Sequence, residues 1–172
     1  MKFLKDKREG NIFMIPLFLP DSHENNLLKY TKYDFLKNNT YSFGRLIEIN
    51  DSSGDLVEIF NYIGAIPESK ECIIKSGLLF KPVHVCLGFR KKRWRFIFED
   101  KNYNKEYDSD YNNISFLLFN EIWIGGRKEK INNRQENIEK WVVYPPTQLE
   151  DKIRKELKNN GFEYNYEEEL HG

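Results

Sequence analysis

Two short stretches constrain this chain more than any other: Glu9-Gly10-Asn11-Ile12-Phe13-Met14-Ile15-Pro16-Leu17 and Tyr41-Ser42-Phe43-Gly44-Arg45-Leu46-Ile47-Glu48-Ile49. Both are rich in β-branched and aromatic residues and are bounded by turn formers, so both read as strands. Ile12 to Ile15 is apolar without a break, which predicts burial on both faces. Gly10 suits a tight entry turn at positive φ. Pro16 has no N–H for a ladder and belongs at a bulge or an edge. In the second stretch Tyr41, Phe43, Arg45, Ile47 and Ile49 alternate with the remaining residues, and Gly44 marks a bend or a close backbone approach.

Further along, Asn50 to Asp55 is a loop that joins the second stretch to Leu56–Tyr62 as a β-hairpin. Leu27 to Leu36 has the spacing of a short amphipathic helix, and Pro67 to Leu79 holds another, with Ser69 as its cap and Gly77 as its stop. Val83-His84-Val85 and Arg93 to Phe98 alternate as strands on either side of a turn at Gly88 to Lys92. Ile114–Phe119, Glu121–Ile124 and Trp141–Tyr144 are further strands. Arg127 to Gln135 is charged and reads as a loop. The strongest helix signal is the last. Thr147-Gln148-Leu149-Glu150 has the form of a capping box after two prolines. Leu149, Ile153 and Leu157 then make one apolar line, and Gly161 sits where a C′ residue is wanted. Phe162, Tyr164 and Tyr166 alternate as a short terminal strand.

These elements predict an α+β fold in one domain over residues 1–172. Its sheet is mainly antiparallel, strongly bent or barrel-like, and carries the C-terminal amphipathic helix. The chain is 40% apolar and 15% aromatic, enough for a core without disulfide staples. Cys72 and Cys86 therefore read as buried free thiols. No stretch reaches the roughly 18 apolar residues of a membrane helix. The charged start has no signal-peptide pattern, so the expected location is cytoplasmic.

Chemistry is sparse. There is no phosphate-binding glycine loop, no dinucleotide fingerprint, no nucleophile elbow and no His-Glu-x-x-His, and no cofactor is expected. His84 and Cys86 share a strand face, but zinc takes four protein ligands, or three and a water, and no second pair stands at a suitable spacing. Lys+Arg and Asp+Glu are both 27, for a net charge of +0, which argues against a broad nucleic-acid surface. Arg90-Lys91-Lys92-Arg93-Trp94-Arg95 is the one basic cluster. It reads as a solvated hairpin turn with Trp94 inward and Arg93 and Arg95 outward. Glu99 to Asn113 has the reverse character, an exposed loop with carboxylates among tyrosines. Tyr103, Glu106, Tyr107, Asp108, Asp110 and Tyr111 are the candidate partner-binding residues. Tyrosine gives contact area at low entropic cost, and carboxylates speed encounter with a basic protein.

The two opening stretches also carry a resemblance. Gly10, a polar residue, Ile12-Phe13-x-Ile15-Pro16-Leu17, and later Phe43 before Gly44-Arg45-Leu46, resemble the opening of the immunity protein 26 family. The similarity runs to near Val57-Glu58-Ile59-Phe60. The family pattern has an aspartate after the glycine, where this chain has Asn11. Such proteins are encoded beside bacterial polymorphic toxins. The resemblance implies a non-enzymatic protein that binds a cognate toxin and protects the producing cell. Two other readings stay open. Small SH3-like barrel endoribonuclease toxins are similar at the same glycine and Gly-Arg positions, which would make Arg45 a phosphate contact. A nucleic-acid-binding module would use the Arg90–Arg95 cluster.

Overall fold

The computed structural model describes residues 3–17, 40–131 and 137–162. Within them the chain forms β1 (Ile12–Pro16), β2 (Tyr41–Glu48), β3 (Asp55–Gly64), α1 (Lys70–Lys75), β4 (Val83–Val85), β5 (Arg95–Phe98) and α2 (Lys105–Asp108). A 3-10 turn at Tyr111–Asn113 leads into β6 (Ser115–Leu118), β7 (Glu121–Ile124), β8 (Arg127–Lys130), β9 (Val143–Tyr144) and α3 (Pro146–Asn159). The fold is α+β. A six-stranded sheet runs in the order β5-β1-β2-β3-β4-β9, and a three-stranded sheet runs β6-β7-β8. The large sheet is antiparallel except for the β4–β9 pair, and it does not close into a barrel. The expected helix at Leu27–Leu36 lies outside the described residues, as does the expected terminal strand beyond Phe162.

The opening pair forms the middle of the large sheet. Ile12 stands opposite Arg45, and Pro16 opposite Tyr41. On its other side β1 meets β5 only from Ile12 to Met14, so Pro16 lies past the end of that ladder and its missing N–H breaks nothing. Ile12, Phe13, Ile15 and Ile47 are all fully buried, as a strand covered on both faces requires. Gly44 has the role its place predicts. A Cβ there would come within 2.6 Å of the Phe13 ring and 2.8 Å of the Glu58 carbonyl oxygen. The β2–β3 hairpin forms as expected, and Asn50 Oδ1 accepts the backbone N–H groups of Ser52 and Ser53 in its loop.

One face of the sheet packs Phe13, Ile15, Leu46, Val57 and Ile59 against Leu149, Ile153 and Leu157 of α3. Burying each of those three helix side chains contributes about 1.5–3 kcal/mol. The helix ends in a Schellman motif: Phe162 N–H bonds the Leu157 carbonyl, Gly161 N–H bonds that of Lys158, and Gly161 has φ +84°. The other face buries Ile12, Met14, Tyr41, Phe43 and Phe60. At its far end Ile47 and Leu56 meet Tyr111, Ile114, Phe116 and Trp123 from the small sheet and the segment before it.

Several local expectations need correction. Val83–Val85 and Arg95–Phe98 do not form a hairpin. The first pairs with β3 and the second with β1, near opposite ends of the sheet order, because each has a longer apolar strand to cover. Arg93 does not point outward. It is buried beside Trp94 and grips the fully buried Glu150 in a two-bond fork, Nε to Oε2 at 2.7 Å and a terminal nitrogen to Oε1 at 2.5 Å. The Trp94 indole N–H adds a third bond to Oε2 at 3.0 Å. Glu150 is therefore not the end of a capping box. Pro145 occupies the N-cap and Pro146 the first turn, so the helix starts before Thr147. Arg127–Lys130 is a strand, not a loop, because the Gly125-Gly126 turn folds it back onto β7 despite its exposed, charged side chains. Cys72 is exposed, and Cys86 is half-buried. The short helix α1 turns only Ile73 fully inward.

Candidate partner-binding surface

The site is built outward from an ion pair. Glu58 is a lone carboxylate in an otherwise apolar run of β3, and in the β2–β3 register it stands opposite Arg45. Arg45 is 3% exposed and Glu58 2%. Two unpaired charges at such depth would cost several kcal/mol each, so the pair and its further bonds must satisfy them. Arg45 Nε donates to Glu58 Oε1 at 2.7 Å. A terminal nitrogen reaches the Asp108 carbonyl at 3.2 Å. The guanidinium lies between the Phe60 and Tyr103 rings, 5.4 and 4.9 Å from their centroids. Burial raises the Glu58 pKa, with Arg45 and Ser109 pulling against that rise.

The Glu99–Asn113 segment is not an extended exposed loop. It carries α2 and a 3-10 turn, and it hooks onto the ion pair. Ser109 Oγ donates to Glu58 Oε1 at 2.9 Å, and the Tyr103 hydroxyl is 2.7 Å from Ser109 Oγ. Tyr103 packs on Gly10, where any Cβ would lie 2.4 Å from the tyrosine Cβ. Gly10 thus serves twice, through its φ of +95° and through the bare face it offers. At the other end of the segment the buried Tyr111 donates its hydroxyl to Glu48 Oε2. Lys105 Nζ bonds the same carboxylate oxygen at 3.0 Å. Burial raises the Tyr111 pKa, followed by its bond to Glu48 and the charges of Glu48, Glu9 and Glu106. Burial likewise raises that of Tyr103.

Anchored this way, the segment holds its outer residues in place. Asn104 Oδ1 accepts the Tyr107 N–H at 3.1 Å, and Asp108 Oδ2 accepts the Asn104 N–H at 2.8 Å. Asp110 takes the left-handed conformation, φ +52°, which short polar side chains tolerate. Of the six candidate residues, Glu106, Tyr107, Asp108 and Asp110 are each exposed, Tyr107 at 88%. Tyr103 and Tyr111 turn inward and are the pegs of the surface. The exposed side of the segment thus carries the Tyr107 ring and the carboxylates of Glu106, Asp108 and Asp110.

Arg45, Glu58, Ser109 and Glu48 were not singled out from sequence as parts of this site. The signal was present for one pair: a carboxylate within a buried strand, opposite an arginine in the hairpin register. Nothing in the sequence spacing links Glu58 to Ser109. Arg45 is also withdrawn from any phosphate, since its guanidinium is covered by Tyr103. Asn11 is buried, and its Nδ2 lies 3.5 Å from the Asp6 carbonyl.

His84 is buried among aromatic rings. Its ring stacks on Trp141 at 3.7 Å and meets Phe116 at 4.6 Å. Burial lowers its pKa to about 4. Among the described residues no group of three or more His, Cys, Asp or Glu side chains is placed to hold a metal ion. No helix there is long and apolar enough to cross a membrane.

A family model described as Immunity protein 26 matches residues 8–124. That span begins just before β1, ends with β7, and takes in Arg45, Glu58 and the whole 103–111 segment. No curated protein and no solved structure matches the chain.

Proposed function

The chain belongs to the immunity protein 26 family, and from that premise we propose that it binds a cognate bacterial toxin protein and blocks the toxin's active surface in the cytoplasm of the producing cell. The family match is the observation that carries this reading, since it covers both opening strands and the acidic segment they support. The binding surface is the outer side of the 103–111 segment. Tyr107 is the central anchor, and Glu106, Asp108 and Asp110 surround it. A rigid aromatic in a charged ring loses little entropy on binding, and the carboxylates steer a basic partner toward it.

The protein acts by occupancy and has no nuclease activity of its own. The buried position of Arg45 supports this, because the endoribonuclease reading needs that guanidinium on a phosphate. The burial of Arg93 and Trp94 removes a cation and the stacking aromatic from the nucleic-acid reading. The test is co-expression with the toxin domain encoded by the neighbouring gene. Cells carrying both should grow, cells carrying the toxin alone should not, and the two proteins should purify as one complex. Toxicity undiminished by the protein would reject the reading.

A further inference from the structure

At the β5 edge of the large sheet, the N-terminal segment and the connection between β4 and β5 enclose a groove of about 570 Å³. Its apolar lining is Phe3, Leu4, Phe89, Trp94 and Phe96. Its polar lining among the described residues is cationic only: Lys5, Lys7, Arg90, Lys92 and Arg95. Two of these are engaged locally. Lys7 pairs with Asp55 at 2.6 Å, and Arg95 lies over the Phe3 ring and donates to the Lys92 carbonyl. Lys5, Arg90 and Lys92 are exposed and have no ion-pair partner among the described residues. The groove belongs to neither the acidic segment nor the Arg45–Glu58 network.

Three unpaired cations beside an aromatic floor repel one another, and an anion brought among them relieves that repulsion. The volume is that of a small-molecule site, typically about 300–1,000 Å³. The lining also says what the anion is not. Among the described residues it holds no carboxylate, amide or hydroxyl side chain to accept from a nucleobase edge, and the Trp94 indole N–H is already bonded to Glu150. Nor do the rings project as a membrane anchor would. Phe3 and Phe89 are half-buried and Phe96 is buried, so they line a concavity and do not stand out from the surface. We propose that this groove binds a single-chain amphiphilic anion, a carboxylate or phosphate on a hydrocarbon body, taken from solution and not from a bilayer. The body covers the phenylalanine floor, and the head group sits among Lys5, Arg90 and Lys92. This site is independent of toxin binding.

The experiment is calorimetric titration of the full chain with dodecanoate below its micelle concentration. The same titration is made with dodecanol, and with the double variant Lys5→Glu, Arg90→Glu. Both positions are exposed, and far-UV circular dichroism checks that the variant folds. Lys5→Gln, Arg90→Gln serves as a second variant with charge removed but not reversed. Saturable one-site binding of dodecanoate is expected, weakened by about tenfold or more in the charge-reversed variant, less in the neutral one, and by rising salt. Dodecanol should bind more weakly than dodecanoate by about the same factor. Absence of saturable dodecanoate binding, or equal affinity in the charge-reversed variant, overturns the assignment. So does adsorption to phosphatidylglycerol vesicles without binding of monomeric dodecanoate.

Discussion

Arg45 and Glu58 face each other across the β2–β3 register, and one carboxylate oxygen accepts from both the guanidinium at 2.7 Å and Ser109 Oγ at 2.9 Å. The oxygen that neutralises the arginine therefore also holds the segment that carries Tyr107. Removing the cation leaves a buried carboxylate with no opposite charge. Arg45→Met should cost about 3–5 kcal/mol in a denaturant titration. It should also speed amide exchange at Ser109 more than at β1. A loss under about 1 kcal/mol, with exchange unchanged, would mean the network does not support the surface.

A second buried pair ties α3 to the β4–β5 connection. Glu150→Ala removes the carboxylate that Arg93 and Trp94 share and should destabilise by about 3–5 kcal/mol. The double variant Arg93→Met, Glu150→Leu replaces the pair with apolar groups of similar volume. It should recover most of that loss, since such replacements are often neutral or stabilising. Equal destabilisation in single and double variants, read from the same titrations, would show that shape and not charge dominates there.

His84 makes stability depend on pH in a defined window. The unfolded imidazole takes its proton near 6.5, while the buried one does so only near about 4. Between those values the unfolded state binds more protons, so stability falls as pH drops from 6.5 and levels off below 4. The full difference is about 3 kcal/mol. His84→Phe keeps an aromatic ring against Trp141 and should flatten this slope. If wild type and variant lose stability in parallel from pH 6.5 to 4, the histidine is not the source.

Ile15 tests how far the opening strands could be read before the structure. Its run, Ile12 to Ile15, implied burial on both sides, and the side chain is fully buried. Ile15→Ala should cost about 2–5 kcal/mol on unfolding in denaturant, and under half of a kilocalorie would contradict the packing. What was legible along the chain was whatever depends on neighbours in sequence: the apolar strands, the Gly10 turn, the hairpin after Glu48, the α3 stripe and its Gly161 stop. What was not legible depends on distant partners. Arg93 looked like a surface cation because no local signal announces that Glu150, on a helix far along the chain, will meet it. Tyr103 and Tyr111 looked equivalent to Tyr107, yet Gly10 and Glu48 draw the first two inward. Val83–Val85 and Arg95–Phe98 looked like a hairpin because sequence proximity favours local pairing, whereas each is claimed by a longer strand.

The most direct test of the proposed toxin binding is surface-based kinetics with a toxin domain encoded beside this chain's gene, where one is found, measured at two salt concentrations. Asp108→Asn with Asp110→Asn should slow association and weaken its dependence on salt, because those carboxylates steer the encounter. Tyr107→Ala should leave association nearly unchanged and raise the dissociation rate, by about 1 kcal/mol or more in binding free energy. If the wild-type protein forms no complex, the proposed toxin binding is contradicted, and if all three substitutions leave both rates unchanged, the 103–111 segment is not a toxin-binding surface.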